Sequence, residues 1–188
     1  MGISEILLAG LVFLSPSLAD RALASAEATT SPYAESQITC LAMNMYHEAR
    51  GQGTAGQLAV TAVVINRVND KRFPNTICEV VHQGPVRESW KTKNNNTIPD
   101  EDRKYYPIKN RCQFSWYCDG KSDTPYDKKK YEQIYLLAEL IMANEIRFLD
   151  ITDGALFYHA DYVTPGWAKT KQRTIEIEDH IFYRWEVK

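Results

Sequence analysis

Between Gly56 and Val68 the chain reads GQLAVTAVVINRV, a run whose apolar residues surround the helix axis. A helix that is apolar on every side is stable only when other elements cover it, so the chain has to fold around this segment. Thr54 and Gln57 stand at capping-box spacing ahead of it and favour helix. The valines leave a strand reading open, which length and the cap signal oppose. With 188 residues, 44% of them hydrophobic and 24% charged, the chain has material for one ordinary domain with a core and too little for two.

Other segments build outward from that helix. Behind Ser36 as a cap, Ile38, Leu41, Ala42, Met45 and Ala49 form the stripe of an amphipathic helix that Gly51 ends. Thr76 and Glu79 repeat the capping-box spacing and predict a short helix carrying Cys78. Residues 84–107 are polar and rich in Asn, Lys and Pro, which predicts an exposed loop. Thr124 and Pro125 open a further helix with Tyr131, Ile134, Tyr135, Ala138, Ile141 and Met142 on its buried face. Asp153 and Gly154 mark a turn. Beyond it, ALFYHA and TIEIEDHIFYRW read as two or three antiparallel strands. Helices first and a small sheet later make the expected class α+β.

The beginning of the chain reads as an export signal: an apolar stretch from Ile6 to Leu14, Pro16 after it, and A-x-A sites at Ala22–Ala24 and Ala26–Ala28. Glu5 stands where a positive charge is usual, so a retained anchor is the alternative reading. The apolar run is shorter than the roughly 20 residues that span a bilayer. Residues 1–24 are therefore expected to be a signal peptide or N-terminal anchor, 25–35 a linker, and 36–188 the folded domain. Export places the protein in a secreted or periplasmic setting, without stable membrane association once the signal is cut. There, an even number of cysteines implies disulfides. Three pairings are formally possible. Cys112 with Cys118, bracketing a short aromatic segment, is favoured, leaving Cys40 with Cys78.

A net charge of -2 carries no broad cationic face, so nucleic acid is a poor partner. His47 and Glu48 begin like H-E-x-x-H, but the second His position is Gly51, and the cysteines lack paired metal spacing, so neither a metal nor another cofactor is expected. A thiol-dependent amidase needs a free activated cysteine, which an exported chain with four cysteines does not favour.

Glu48 lies about 80 degrees from the centre of its helix's apolar stripe, at roughly 100 degrees per residue, and in the last turn. The negative end of the helix dipole and partial burial both disfavour its ionised form. A protonated carboxyl is what a glycosidic leaving oxygen requires, whereas His47 and Arg50 would oppose the shift if they faced it. By spacing alone the commoner reading of Glu48 is a solvated residue at a helix end. Gln113, Ser115, Trp116, Tyr158, His159, Tyr162 and Trp167 are the polar and aromatic residues suited to sugar hydroxyls and pyranose faces, although core or strand-edge roles suit some of them as well.

The order of motifs adds to this. YHEARG (Tyr46–Gly51), GQLAVTAVVINRV, FPNTICEVV (Phe73–Val81), CQFSW (Cys112–Trp116), FYHADYVTPGWA (Phe157–Ala168) and HIFYRW (His180–Trp185) follow one another over nearly everything from Cys40 to Trp185. Together they resemble the SleB and CwlJ type of cell wall hydrolase. The resemblance implies a lysozyme-like domain that acts on peptidoglycan glycan strands, between N-acetylmuramic acid and N-acetylglucosamine, with Glu48 as the essential acid. It further implies lytic transglycosylase chemistry, in which one carboxyl suffices. A hydrolytic muramidase would ordinarily add a second carboxylate, for which Asp153 and Asp161 are the candidates. The family pattern usually continues EARGE, and here Gln52 replaces that last Glu. A catalytically silent wall-binding module of the same fold is the remaining alternative, and a monomer is expected.

Overall fold

A computed structural model describes residues 31–185, so the expected signal segment and most of the linker lie outside the described residues. Five α-helices occur among them: α1 (Pro32–Ala49), α2 (Thr54–Val68), α3 (Ile77–Val81), α4 (Trp90–Lys93) and α5 (Lys128–Met142). Strands β1 (Val86–Glu88) and β2 (Tyr105–Pro107) make an antiparallel ribbon. Strands β3 (Phe157–Ala160), β4 (Gln172–Ile177) and β5 (His180–Arg184) make an antiparallel sheet of order β3-β5-β4. None of the described helices is long and apolar enough to cross a membrane.

Helix α2 is the centre the sequence demands. Ala59, Val60, Ala62, Val63 and Val64 are fully buried. Val64 belongs to the larger core, with Leu41, Met45 and Tyr46 of α1, Val80 and Val81 of α3, and Ile134 and Ala138 of α5. Ala59 and Val63 face the other way, against Ala155 and Phe182 of the sheet. An element covered on both sides needs apolar residues all round, which is the pattern its sequence carries. Truncating a side chain such as Leu41, with no exposed surface, costs about 2–5 kcal/mol.

Helix boundaries depart from the sequence expectations in three places. Helix α1 starts at Pro32, ahead of Ser36, because proline fits a first turn whose N–H groups have no helical partner. The Ser36 hydroxyl instead donates to the Tyr33 carbonyl at 2.7 Å. Helix α5 is capped by Asp127, whose carboxylate accepts from the Lys130 N–H at 3.0 Å, rather than opened by Thr124 and Pro125.

The third departure is at α2, whose N-cap is Gly53 with no side-chain cap of its own. The Gln57 amide is spent on the Gln52 carbonyl, and Glu178 takes the cap role from the β4–β5 turn. Its carboxylate accepts from the Gly53 N–H at 2.7 Å and the Gly56 N–H at 3.0 Å. Glu178 adopts φ 49° to reach them. By contrast, Thr76 caps its own helix as the spacing expects, its hydroxyl accepting from the Glu79 N–H and donating to the Glu79 carboxylate at 2.8 Å.

Residues 84–107 are mostly exposed, but they carry the ribbon and α4 rather than an unstructured loop. Arg103 pins the ribbon by bonding Glu88 at 2.8 Å and Asp100 at 2.9 Å. Disulfides join Cys40 to Cys78 and Cys112 to Cys118. The first ties α1 to α3, and the second closes the segment that delivers Gln113 and Ser115 to the site.

Candidate active site

The last turn of α1 delivers Glu48 to a cavity of about 530 Å³, where it meets residues from α2, the Cys112–Cys118 segment and β3. Glu48 is half-buried, and the Tyr158 hydroxyl of β3 donates to its Oε2 at 2.9 Å. Burial pushes the Glu48 carboxyl above its ordinary value, while the Tyr158 hydrogen bond and the Arg67 charge pull the other way. Tyr158 stays a phenol, because burial and the neighbouring Glu48 both push its pKa well up. The result is a carboxyl that keeps its proton to higher pH than a free one, held in orientation by a neutral donor.

Arg67 is the cation of this site, and it is 1% exposed. Burial lowers its pKa to about 10, so it remains charged at neutral pH. Its Nε donates to the Leu156 carbonyl at 2.8 Å, and its guanidinium faces the rings of Phe73, Phe114 and Phe157 at 5.1, 5.5 and 5.6 Å. The Nη1 atom is buried without a protein partner. His47 and Arg50, the cations next to Glu48 in sequence, face elsewhere. His47 stacks on Trp116 and contacts the Asp123 carbonyl, and Arg50 donates to the Tyr126 hydroxyl.

Gln113, Ser115, Tyr158, His159 and Trp167 line the cavity with Glu48. His159 is held between the Tyr183 hydroxyl at 3.0 Å and the Ala160 carbonyl at 2.9 Å. Tyr158 meets the site through its hydroxyl on Glu48, with its ring packed against His180 and Phe182. Two of the aromatic candidates are placed elsewhere. Trp116 turns into the core, 9% exposed, and donates to Asn44 Oδ1 at 3.3 Å; its neighbours Ser115 and Gln113 take the cavity side. Tyr162 is 85% exposed and is not part of the lining, because the chain turns beyond β3 and presents Val163 and Pro165 instead.

Among the described residues that line the cavity, Glu48 is the sole carboxylate. Asp153 lies in an exposed turn and bonds Arg184, and Asp161 is exposed at the end of β3. Gln52 sits behind Tyr158, with its Nε2 at 2.8 Å from His180 Nδ1. Burial lowers the His180 pKa, and an amide N–H suits a neutral imidazole whose Nδ1 accepts.

Arg67 and Lys171 line the same cavity and were not singled out by the sequence reading. A signal was present for Arg67, the one charged residue within LAVTAVVINRV. A charge in a helix covered on all sides is either an error in the helix assignment or a functional group. Lys171 carried no comparable signal.

Residues 51–183 match the family model described as Cell Wall Hydrolase, and the chain belongs to that family. The match starts just past Glu48. The spore cortex-lytic enzyme of Halalkalibacterium halodurans is 35% identical over 163 residues, covering 83% of this chain and 38% of that protein. The one from Bacillus cereus is 28% identical over 155 residues, covering 80% and 45%. The chain thus spans less than half the length of these relatives. Among solved structures, the catalytic domain of the germination-specific lytic transglycosylase SleB from Bacillus anthracis aligns with a TM-score of 0.52 and 26% identity. That alignment covers 82% of this chain and 98% of the domain. The α+β, mostly helical, lysozyme-like class implied by the motif order is the class of this fold.

Proposed function

We propose that this chain cleaves the glycan strand of peptidoglycan between N-acetylmuramic acid and N-acetylglucosamine, as a lytic transglycosylase with Glu48 as its acid. The observation that carries the reading is Glu48, oriented by Tyr158 and with its pKa raised by burial, as the sole carboxylate of the described cavity lining. In the first half of the reaction Glu48 gives its proton to the glycosidic oxygen, and the bond from that oxygen to the muramic anomeric carbon breaks. The carboxylate left behind, stabilised by Arg67 and Tyr158, takes the proton of the muramic 6-hydroxyl. That oxygen closes on the anomeric carbon, giving a 1,6-anhydro ring and a free N-acetylglucosamine hydroxyl with Glu48 protonated again. No water and no second carboxylate are consumed. The family membership and the likeness to the SleB domain support this chemistry.

Gln113, Ser115, His159 and Trp167 are the proposed substrate contacts of the cavity, and Tyr158 positions the acid. All four cysteines are in disulfides, which leaves no thiol for a cysteine-dependent amidase. The disulfides also support an exported, wall-associated protein, with residues 1–24 as the export signal and a tether that reaches α1.

Glu48→Gln should fold and lose about 10²–10⁴-fold of wall-lytic activity on purified sacculi, since the amide keeps the size of the acid without its proton. Mass spectrometry of the parent's products should show 1,6-anhydromuramic ends. Near-normal turnover by the variant would remove Glu48 from the mechanism, and reducing ends alone would make the enzyme a muramidase.

A further inference from the structure

From the buried Arg67 outward, cations and aromatic rings alternate along one side of the cavity. The Arg67 guanidinium lies 5.6 Å from the Phe157 ring, and the Lys171 ammonium lies 5.0 Å from the same ring. Lys171 is also 3.9 Å from the Trp185 ring, over which Arg72 sits at 4.5 Å. Phe157 packs against Trp185 at 5.3 Å and against Trp167 at 5.8 Å, which makes the row continuous. Arg67 and Lys171 line the Glu48 cavity, whereas Arg72 and Trp185 line a neighbouring groove of about 790 Å³ together with Lys71 and Arg184.

This row concentrates positive charge in a chain whose net charge is -2. Arg72 is paired with Asp70 and Arg184 with Asp153. Neither Arg67 nor Lys171 is in an ion pair among the described residues, and Arg67 Nη1 is buried without a partner. Arg67 acts on Glu48 through charge, but its buried Nη1 is left without an acceptor, a cost that a ligand carboxylate entering the cavity would relieve. Aromatic faces between the cations suit sugar rings, and the cations suit carboxylates.

We propose that the Arg67–Phe157–Lys171–Trp185–Arg72 row is a subsite for the anionic peptide stem of the strand, reading its carboxylates while the adjoining sugar stays on the aromatic faces. This rests on the glycan-cleaving reading above, because the stem hangs from the lactyl group of the muramic sugar whose bond would be cut. The row leads from the Glu48 cavity to the outer groove, a course open to a substituent of that sugar. Lys171, half-buried between two rings and in no ion pair with a carboxylate among the described residues, is the residue on which the preference turns.

The test uses the full chain carrying Glu48→Gln, so that binding is read without turnover. Calorimetry would compare soluble glycan strands that bear peptide stems with the same strands stripped of them by an amidase. The expected result is about three- to tenfold tighter binding of the stem-bearing strands at low salt. That preference should fade at about 1 M salt, where charges are screened beyond about 3 Å. Adding Lys171→Gln should abolish the preference, and Lys171→Arg should restore it. Equal affinity for both strands, no binding of either, or a Lys171→Gln loss that is the same for both would overturn the proposal. A stem preference in the binding experiment together with an intact wild-type chain that cuts neither strand would sink the cleavage reading and leave the subsite standing. Cleavage without stem preference would do the reverse.

Discussion

Glu48 sits where a carboxylate is disfavoured, and that placement has a stability cost with a definite pH window. Its folded pKa is raised from the ordinary 4.5, chiefly by burial. Below that ordinary value the residue is protonated in both folded and unfolded chains and contributes nothing to the difference. As pH rises, the unfolded chain ionises first, so stability falls through the window up to the raised folded value and stays lower above it. Glu48→Gln removes this linkage. The variant should therefore be more stable than the parent at neutral pH by on the order of 1 kcal/mol, with the gap closing as pH falls to about 4.5. Thermal melts of both proteins across that range check it. At this scale the sequence was only partly legible. Glu48 could be read from its motif and its place on α1, because both are local. Arg67 stood out only as a charge in an apolar helix, and its surroundings were not legible, because Phe73, Phe114 and Phe157 arrive from three other segments. Trp116 was legible as an aromatic in a functional block but not as a core residue, since the side it faces is set by Asn44 and His47 of α1.

Among the elements, α2 depends on a residue far along the chain for its beginning. Glu178 serves both orphan N–H groups of Gly53 and Gly56, and its negative charge also lies at the positive end of the helix dipole. Replacing Glu178 with Ala should cost about 1–2 kcal/mol, read from chemical denaturation, whereas Thr54→Ala should cost about 0.5 kcal/mol or less, as surface changes do. The reverse order would return the cap to Thr54. Spacing rules find caps made within one segment, such as the one at Thr76, and miss caps made across the fold. The strands were legible for a different reason: aromatic and β-branched residues mark β3, β4 and β5 locally, and a short turn joins β4 to β5, whereas the pairing of β3 with β5 is not local. The ribbon β1–β2 was missed because its Asn-rich, Lys-rich and Pro-rich surroundings dominate composition over that stretch.

At the largest scale, the described domain is a set of helices around α2, stapled at Cys40–Cys78 and closed by the sheet. The Cys40–Cys78 bond spans 38 residues, and closing a loop of that length restricts the unfolded chain by about 4 kcal/mol. Cys40→Ala with Cys78→Ala should lower unfolding free energy by up to that amount, and the denaturation midpoint should fall by a matching step; an unchanged midpoint would show that native packing alone sets the stability. The general class was legible at this scale because a central apolar helix, two flanking helices and a late β-rich segment leave few ways to pack. Position was not, because cavities arise between elements that no single segment describes. Glu48 and the Tyr158 hydroxyl that orients it are separated by 110 positions. A ribosome must therefore finish β3 before the two groups can meet, so a chain interrupted anywhere between them emerges with its buried carboxyl unoriented.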